Sequence, residues 1–162
     1  MRRATLAIFV VALALRLLFV LLEPPARLIG DEHTWTGWAL ELLSPEVRFD
    51  PAASRMLFYP PLYPYFLATL HALFGSWTVV KLWQAILGAL LVPAVARVTA
   101  RALGERAGLW AGASVAVYPD LVWYTAHFWS ETLFLVLVWW GFERLVAADA
   151  ERTRADALAA GL

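Results

Sequence analysis

The sequence predicts an all-α, polytopic membrane protein, and three observations carry that reading. The chain of 162 residues is 62% hydrophobic, against about 45–50% for a soluble domain. Its charges come in short blocks between apolar runs, the pattern of loops joining membrane helices. Several of those runs reach the ~20 residues that a hydrocarbon core of about 30 Å requires at 1.5 Å per residue.

Residues 4–22 (ATLAIFVVALALRLLFVLL) form the first span. MRR before it could serve as the basic start of a signal peptide. The apolar run is too long for that, and EPPARLIGDE after it has no small-x-small cleavage site, so the span is expected to stay. Residues 77–100, 107–126 and 130–147 form the second, third and fourth spans, and ADALAAGL at 155–162 reads as the start of a further one. The stretch 60–75 (PPLYPYFLATLHALFG) is apolar but short after its last proline.

Charge placement decides that stretch. If it crosses, RVTARALGER (97–106) shares a face with the acidic loop. If it lies along the interface, MRR, 97–106 and the tail ERTRADA share one face, as the positive-inside rule favours. The expectation is therefore about four crossing helices plus two interfacial helices on the outer face, in one membrane domain over 1–162. Residues 23–76 form the outer segment, 127–129 a short outer turn, and the N-terminus is cytoplasmic in the cell (inner) membrane.

Within the outer segment, EHTWTGWALELL (32–43) reads as a helix. Trp35, Trp38, Ala39, Leu42 and Leu43 recur at helical steps, and tryptophans on such a stripe suit the water–lipid boundary. Asp31 falls at its N-cap position. A polar loop (44–55) follows, and FYPPLYPYF (58–66) stiffens the entry to the second interfacial helix.

The chemistry-bearing residues are carboxylates at the outer face. Adjacent Asp31 and Glu32, partly out of water, suit a general base that accepts a proton from a hydroxyl. Both also suit a helix start, Asp31 as cap and Glu32 as a first-turn acid. Glu131, at the start of the fourth span, has the same two readings. Arg16 lies inside the first span, about 9 Å from its outer end. Its options are an inward partner (Asp31, Asp120, Glu131 or a lipid phosphate) or snorkelling. Lys81 has the same choice. Asp120 follows Tyr118-Pro119, where proline kinks the third span and frees a carbonyl. His33 and His71 have no ligand spacing, so cofactors are unknown and a divalent metal is not readable. The absence of Cys removes disulfides and thiolate sites, and zero net charge argues against nucleic acid.

The order of segments carries a resemblance: an N-terminal span, GDE with an aromatic helix, PPLYPYFLA, a long VKLWQAILGALLVPAVARVTARALGERAGLWAG run, then VYPDLVWYTAHFWSETLFL. Over nearly its whole length the chain resembles the N-terminal part of the GT-C glycosyltransferases, most closely the protein O-mannosyltransferase and aminoarabinose-transferase-like group (glycosyltransferase family 39-like). The resemblance implies a polyprenyl-phosphate sugar donor, a hydroxyl acceptor and a membrane-lipid setting. It implies Asp31 as the acceptor-activating base with Glu32 beside it, the Tyr63-containing proline stretch leading into the second interfacial helix, and Glu131 as the second acidic position. Arg16 and Lys81 are the cations expected to assist donor binding. Family members have many more spans, so the chain reads as a fragment, inactive alone. A transporter-like module and a non-catalytic subunit binding a lipid or protein partner are the competing readings.

Overall fold

A computed structural model describes residues 1–23, 28–44 and 60–159, with side chains as far as 152. The expected polar loop over 45–55, the first residues of the proline-rich stretch at 58–59 and the end of the expected further span at 160–162 lie outside the described residues. All regular structure among the described residues is helical: α1 (Arg2–Leu22), α2 (Glu32–Leu43), α3 (Leu62–Phe74), α4 (Trp77–Leu103), α5 (Glu105–Val117), α6 (Pro119–Ala126) and α7 (Glu131–Ala159). Two of them, α1 and α4, are long and apolar enough to cross a membrane.

Helix α4 is the centre, touching α1, α3, α5, α6 and α7. It can do so because its contact faces are built from small residues: Ala85, Gly88, Ala89, Ala94 and Ala96 are buried. The approach of α5 is the closest. A Cβ on Gly108 would stand 2.5 Å from the Ala96 carbonyl oxygen and 2.6 Å from the Ala100 Cβ, so only glycine fits. Gly112 sits one turn on, against Ala96 and Val92. Helix α7 is tied to α4 at the far end. Glu143 pairs with Arg97 (3.2 Å) and Arg101 (3.0 Å), Arg97 lies 4.8 Å over the Trp140 ring, and the Trp140 indole N–H donates to the Leu90 carbonyl. That last bond falls beside the gap Pro93 leaves in the α4 ladder.

The expected third span is two helices. Tyr118 is extended (φ −63°, ψ 119°), and Pro119 opens α6 at its first position. Proline has no N–H for the carbonyl four residues back, Val115, and the turn at Tyr118 releases Ala116 as well. Both carbonyls are taken by Arg16. Its Nη2 donates to Val115 O (3.1 Å), and its Nη1 to Ala116 O (3.0 Å) and to Ala12 O in its own helix (3.2 Å). Arg16 is fully buried. It therefore neither snorkels nor pairs with Asp31, Asp120 or Glu131, contrary to expectation, because the broken helix leaves unpaired carbonyls within its reach. Gly88 gives it room, since a Cβ there would meet the Thr125 methyl at 2.5 Å and Arg16 Nε at 3.1 Å.

The ends of the helices sort by charge. The N-terminal amine lies 3.6 Å from Glu105, and Arg97 and Arg101 share that basic end. The opposite end is covered by α2 and α3. Tyr63, at the start of α3, bonds Gln84, while the Phe74 ring at its end lies 6.2 Å from Trp83. The two ends of α3 thus meet neighbouring residues of α4, so α3 lies across α4 rather than along it. Its 13 residues span about 20 Å, short of a hydrocarbon core.

Two expectations are corrected here. Trp35 and Trp38 do not face a lipid boundary. They are 4% and 6% exposed and pack with Tyr63, Leu67, Val80 and Phe128, because α3 supplies a facing apolar surface. And α7 runs unbroken from the expected fourth span to Ala159, so residues 155–159 continue the same helix.

Two predictions follow from this packing. Gly108→Ala should cost about 1–3 kcal/mol through overpacking, while Gly141→Ala, with nothing within 4 Å of its new methyl, should be neutral or gain up to about 1 kcal/mol; thermal unfolding of both variants separates them. Arg16→Met should lose roughly 2–5 kcal/mol, since it strands two buried carbonyls, and a variant as stable as the parent would show that water satisfies them.

Candidate functional site

The covered end gathers the polar residues. Its anchor is Glu32, the first residue of α2, which is 2% exposed. One carboxylate oxygen accepts the Ile29 N–H (2.9 Å), and the other accepts the Phe128 N–H (2.7 Å). The Glu32 N–H in turn donates to the Ile29 carbonyl (3.1 Å). A side chain that reaches back three residues to a backbone N–H is the acidic half of a capping box, and here Glu32 rather than Asp31 makes it. Asp31 does occupy the N-cap position, but its side chain makes no capping bond. Its backbone is helical (φ −71°, ψ −10°), whereas a capping side chain needs an extended residue to aim back at the first turn. Asp31 is exposed on the rim.

His127 faces Glu32. Its Nδ1 lies 3.3 Å from the carboxylate oxygen that holds Phe128, its Nε2 lies 3.9 Å from Glu23, and its ring stacks on Trp123 at 4.1 Å. Neither ring nitrogen has an aligned hydrogen-bond partner, although the residue is 4% exposed. The buried imidazole is thus bracketed by two carboxylates, one from α2 and one just past α1.

Beneath it runs a buried polar chain. The Tyr63 hydroxyl donates to Gln84 Oε1 (2.5 Å), and Gln84 Nε2 donates to the carbonyls of His127 (2.9 Å) and Thr125 (3.4 Å). Burial, and then the charges of Glu131 and Glu32, push the Tyr63 phenol well above its ordinary range. Glu131 is half-buried in the first turn of α7. Lys81 is half-buried on α4, with Nζ 5.1 Å over the Phe128 ring.

Of the residues singled out from sequence, Glu32, Tyr63, Lys81 and Glu131 meet in this layer, Asp31 stands at its edge, and Arg16 lies below at the helix break. Asp120 is exposed in the first turn of α6, on a different groove with Leu15, Phe19 and Trp123. His33 is exposed, and His71 stacks on Trp77 at 4.1 Å. Among the described residues no group of three His, Asp or Glu is placed to hold a metal. His127, Glu23 and Gln84 were not foreseen. His127 was within reach, because the turn 127–129 was already assigned to the face that carries Glu32.

No family model, curated protein or solved structure matches the chain.

The raised Tyr63 ionisation makes a sign-definite prediction. The unfolded chain releases this proton near pH ~10, whereas the folded chain retains it to higher pH. The stability contributed by neutral Tyr63 is thus complete below about pH 10 and is lost as pH rises through the folded value. Unfolding measured from pH 8 upward should show a downward slope that Tyr63→Phe reduces; equal slopes in the two proteins would refute the assignment.

Proposed function

We propose that this chain belongs to an integral membrane glycosyltransferase that moves a sugar from a polyprenyl-phosphate donor to a hydroxyl acceptor, with Asp31 as the general base. One observation carries the reading. Asp31 is exposed and makes no capping bond, while its neighbour Glu32 is pinned by two backbone N–H groups. The backbone at 31 is therefore held, and its carboxylate is left open at the rim. That is what a base acting on an incoming hydroxyl requires.

The membrane setting has its own support. Leu6, Val10, Val11, Leu15, Leu18, Leu21 and Leu22 are exposed around α1, a length of apolar surface that a helix in water would bury. In this reading α1, α4, α5 with α6, and α7 make four crossings of the cell membrane. The basic end is cytoplasmic, as the positive-inside rule prefers, and α2 and α3 lie on the outer face.

The proposed step is a single displacement. Asp31 takes the proton of the acceptor hydroxyl as its oxygen bonds to the anomeric carbon. The bond from that carbon to the phosphate oxygen breaks, and polyprenyl phosphate leaves with the electron pair. Sugar phosphate is a good leaving group, so the reaction needs a base more than a strong acid. The lipid tail confines the donor to the plane in which Asp31 sits.

The test is release of polyprenyl phosphate from lipid-linked sugars by the complete gene product in proteoliposomes. Asp31→Asn should lower turnover by about a hundredfold or more with the unfolding temperature nearly unchanged. Full turnover in that variant, or no release from any donor, would reject the reading.

A further inference from the structure

A cleft of about 560 Å³ opens between the end of α1, α2 and the start of α4. Most of its lining is apolar, with Val20, Leu21, Leu28, Leu40 and Phe128. Its polar residues are Glu23, Thr36, Thr78 and Lys81, and the two charged ones are of opposite sign. Lys81 and Thr78 stand on the α4 wall, and Glu23 stands just past α1. Lys81 rests over Phe128, and among the described residues Glu23 has only the distant contact with His127 Nε2. No ion pair joins Lys81 to Glu23, so one cleft presents a cation and an anion that do not neutralise each other. Thr78 lies in the first turn of α4, where the unbonded N–H groups and the positive helix end reinforce the cation.

From this we infer that the cleft binds the head group of a zwitterionic phospholipid, its phosphate on Lys81 and Thr78 and a primary ammonium on Glu23. A purely anionic head would satisfy Lys81 and be repelled by Glu23, and a cation alone would do the reverse. A primary ammonium is specified over a quaternary one because no aromatic cage is free. The Trp77 ring stacks on His71 and meets Phe128 by its edge, and the Phe128 face carries Lys81. A carboxylate instead accepts N–H bonds, which only the primary ammonium donates. The acyl chains have a path as well: Leu21 lines the cleft, and Leu18, Leu21 and Leu22 continue down α1 as exposed apolar surface.

The inference rests on the membrane part of the reading above and is independent of the chemistry at Asp31. To test it, the full chain is stripped of lipid and reconstituted into vesicles of equimolar phosphatidylethanolamine, phosphatidylcholine and phosphatidylglycerol. It is then re-extracted in mild detergent, and the retained lipid is quantified by mass spectrometry. Phosphatidylethanolamine should be enriched. The enrichment should fall about tenfold in Lys81→Gln and in Glu23→Gln, each of which removes one charged contact. It should persist in Lys81→Arg, which keeps the charge and controls for folding, and in Asp31→Asn. Enrichment of phosphatidylglycerol would replace the zwitterion site with a simple anion site. Equal retention of all three, or enrichment untouched by either charge removal, would overturn the inference. A protein that stays in water and does not enter vesicles would overturn it together with the membrane reading. Retention with no sugar transfer would reject only the transferase.

Discussion

The arrangement depends on one buried guanidinium meeting one broken helix. Pro119 cannot donate to Val115, and the extended Tyr118 releases Ala116, so the inner side of the α5 end is left with carbonyls that the helix does not pair. Arg16 answers from α1, a hundred residues earlier, and Gly88 on α4 leaves the space in which it lies. Three helices thus converge on one set of hydrogen bonds. The guanidinium fork can serve two carbonyls of α5 and one of α1 together, which an ammonium on a single point could not do as well. No carboxylate is needed, because the C-terminal end of a helix carries partial negative charge of its own. The break also sets the length of α6, whose end delivers His127 and Phe128 to the layer above.

That layer is fixed by a second shared acceptor. The Glu32 carboxylate joins the turn before α2 to the turn before α7, two segments nearly a hundred residues apart. Apolar contact among Trp35, Trp38, Tyr63 and Phe128 supplies area but little direction. The two N–H bonds to Glu32 supply the direction, and they determine which way the rim faces. Gln84 repeats the device from below, linking Tyr63 on α3 to the carbonyl of His127. The covered end is thus held by backbone groups of the 125–128 turn, with side chains from α2 and α4 reaching for them.

What the sequence disclosed follows the range of each signal. Apolar length located the first two spans, and they agree with α1 and α4 to within three residues at each end. Proline chemistry located the break at 118–119. Arg16 was marked as costly at its depth, but its partner was not visible, because pattern reads local spacing and this contact spans a hundred residues. The same limit hid the burial of the Trp35–Trp38 stripe: periodicity shows that a helix has an apolar face, not what covers it. Hydropathy showed where apolar sequence thins near residue 147, yet α7 continues, because the stretch that follows has neither Gly nor Pro to stop it. His127 escaped because a lone His in a short turn carries no spacing signal. Only the assignment of that turn to the face of Glu32 connected them.

The two adjacent carboxylates show how one sequence feature divides into two roles. By composition Asp31 and Glu32 are near equivalents, and either could cap a helix or accept a proton. The structure separates them by a single rotation of the helix. Glu32 points inward, where every oxygen it offers is claimed by a backbone donor, and a hydroxyl could reach it only by displacing those donors and opening the covered end. Asp31 points outward with no backbone donor claiming it at the helix start. A proton acceptor must be both fixed and reachable, and one carboxylate rarely satisfies both demands, since the bonds that fix it also occupy its lone pairs. In the proposed reading the demands fall on different residues: Glu32 carries the bonds, Asp31 keeps the lone pairs, and the peptide between them passes the rigidity of one to the other.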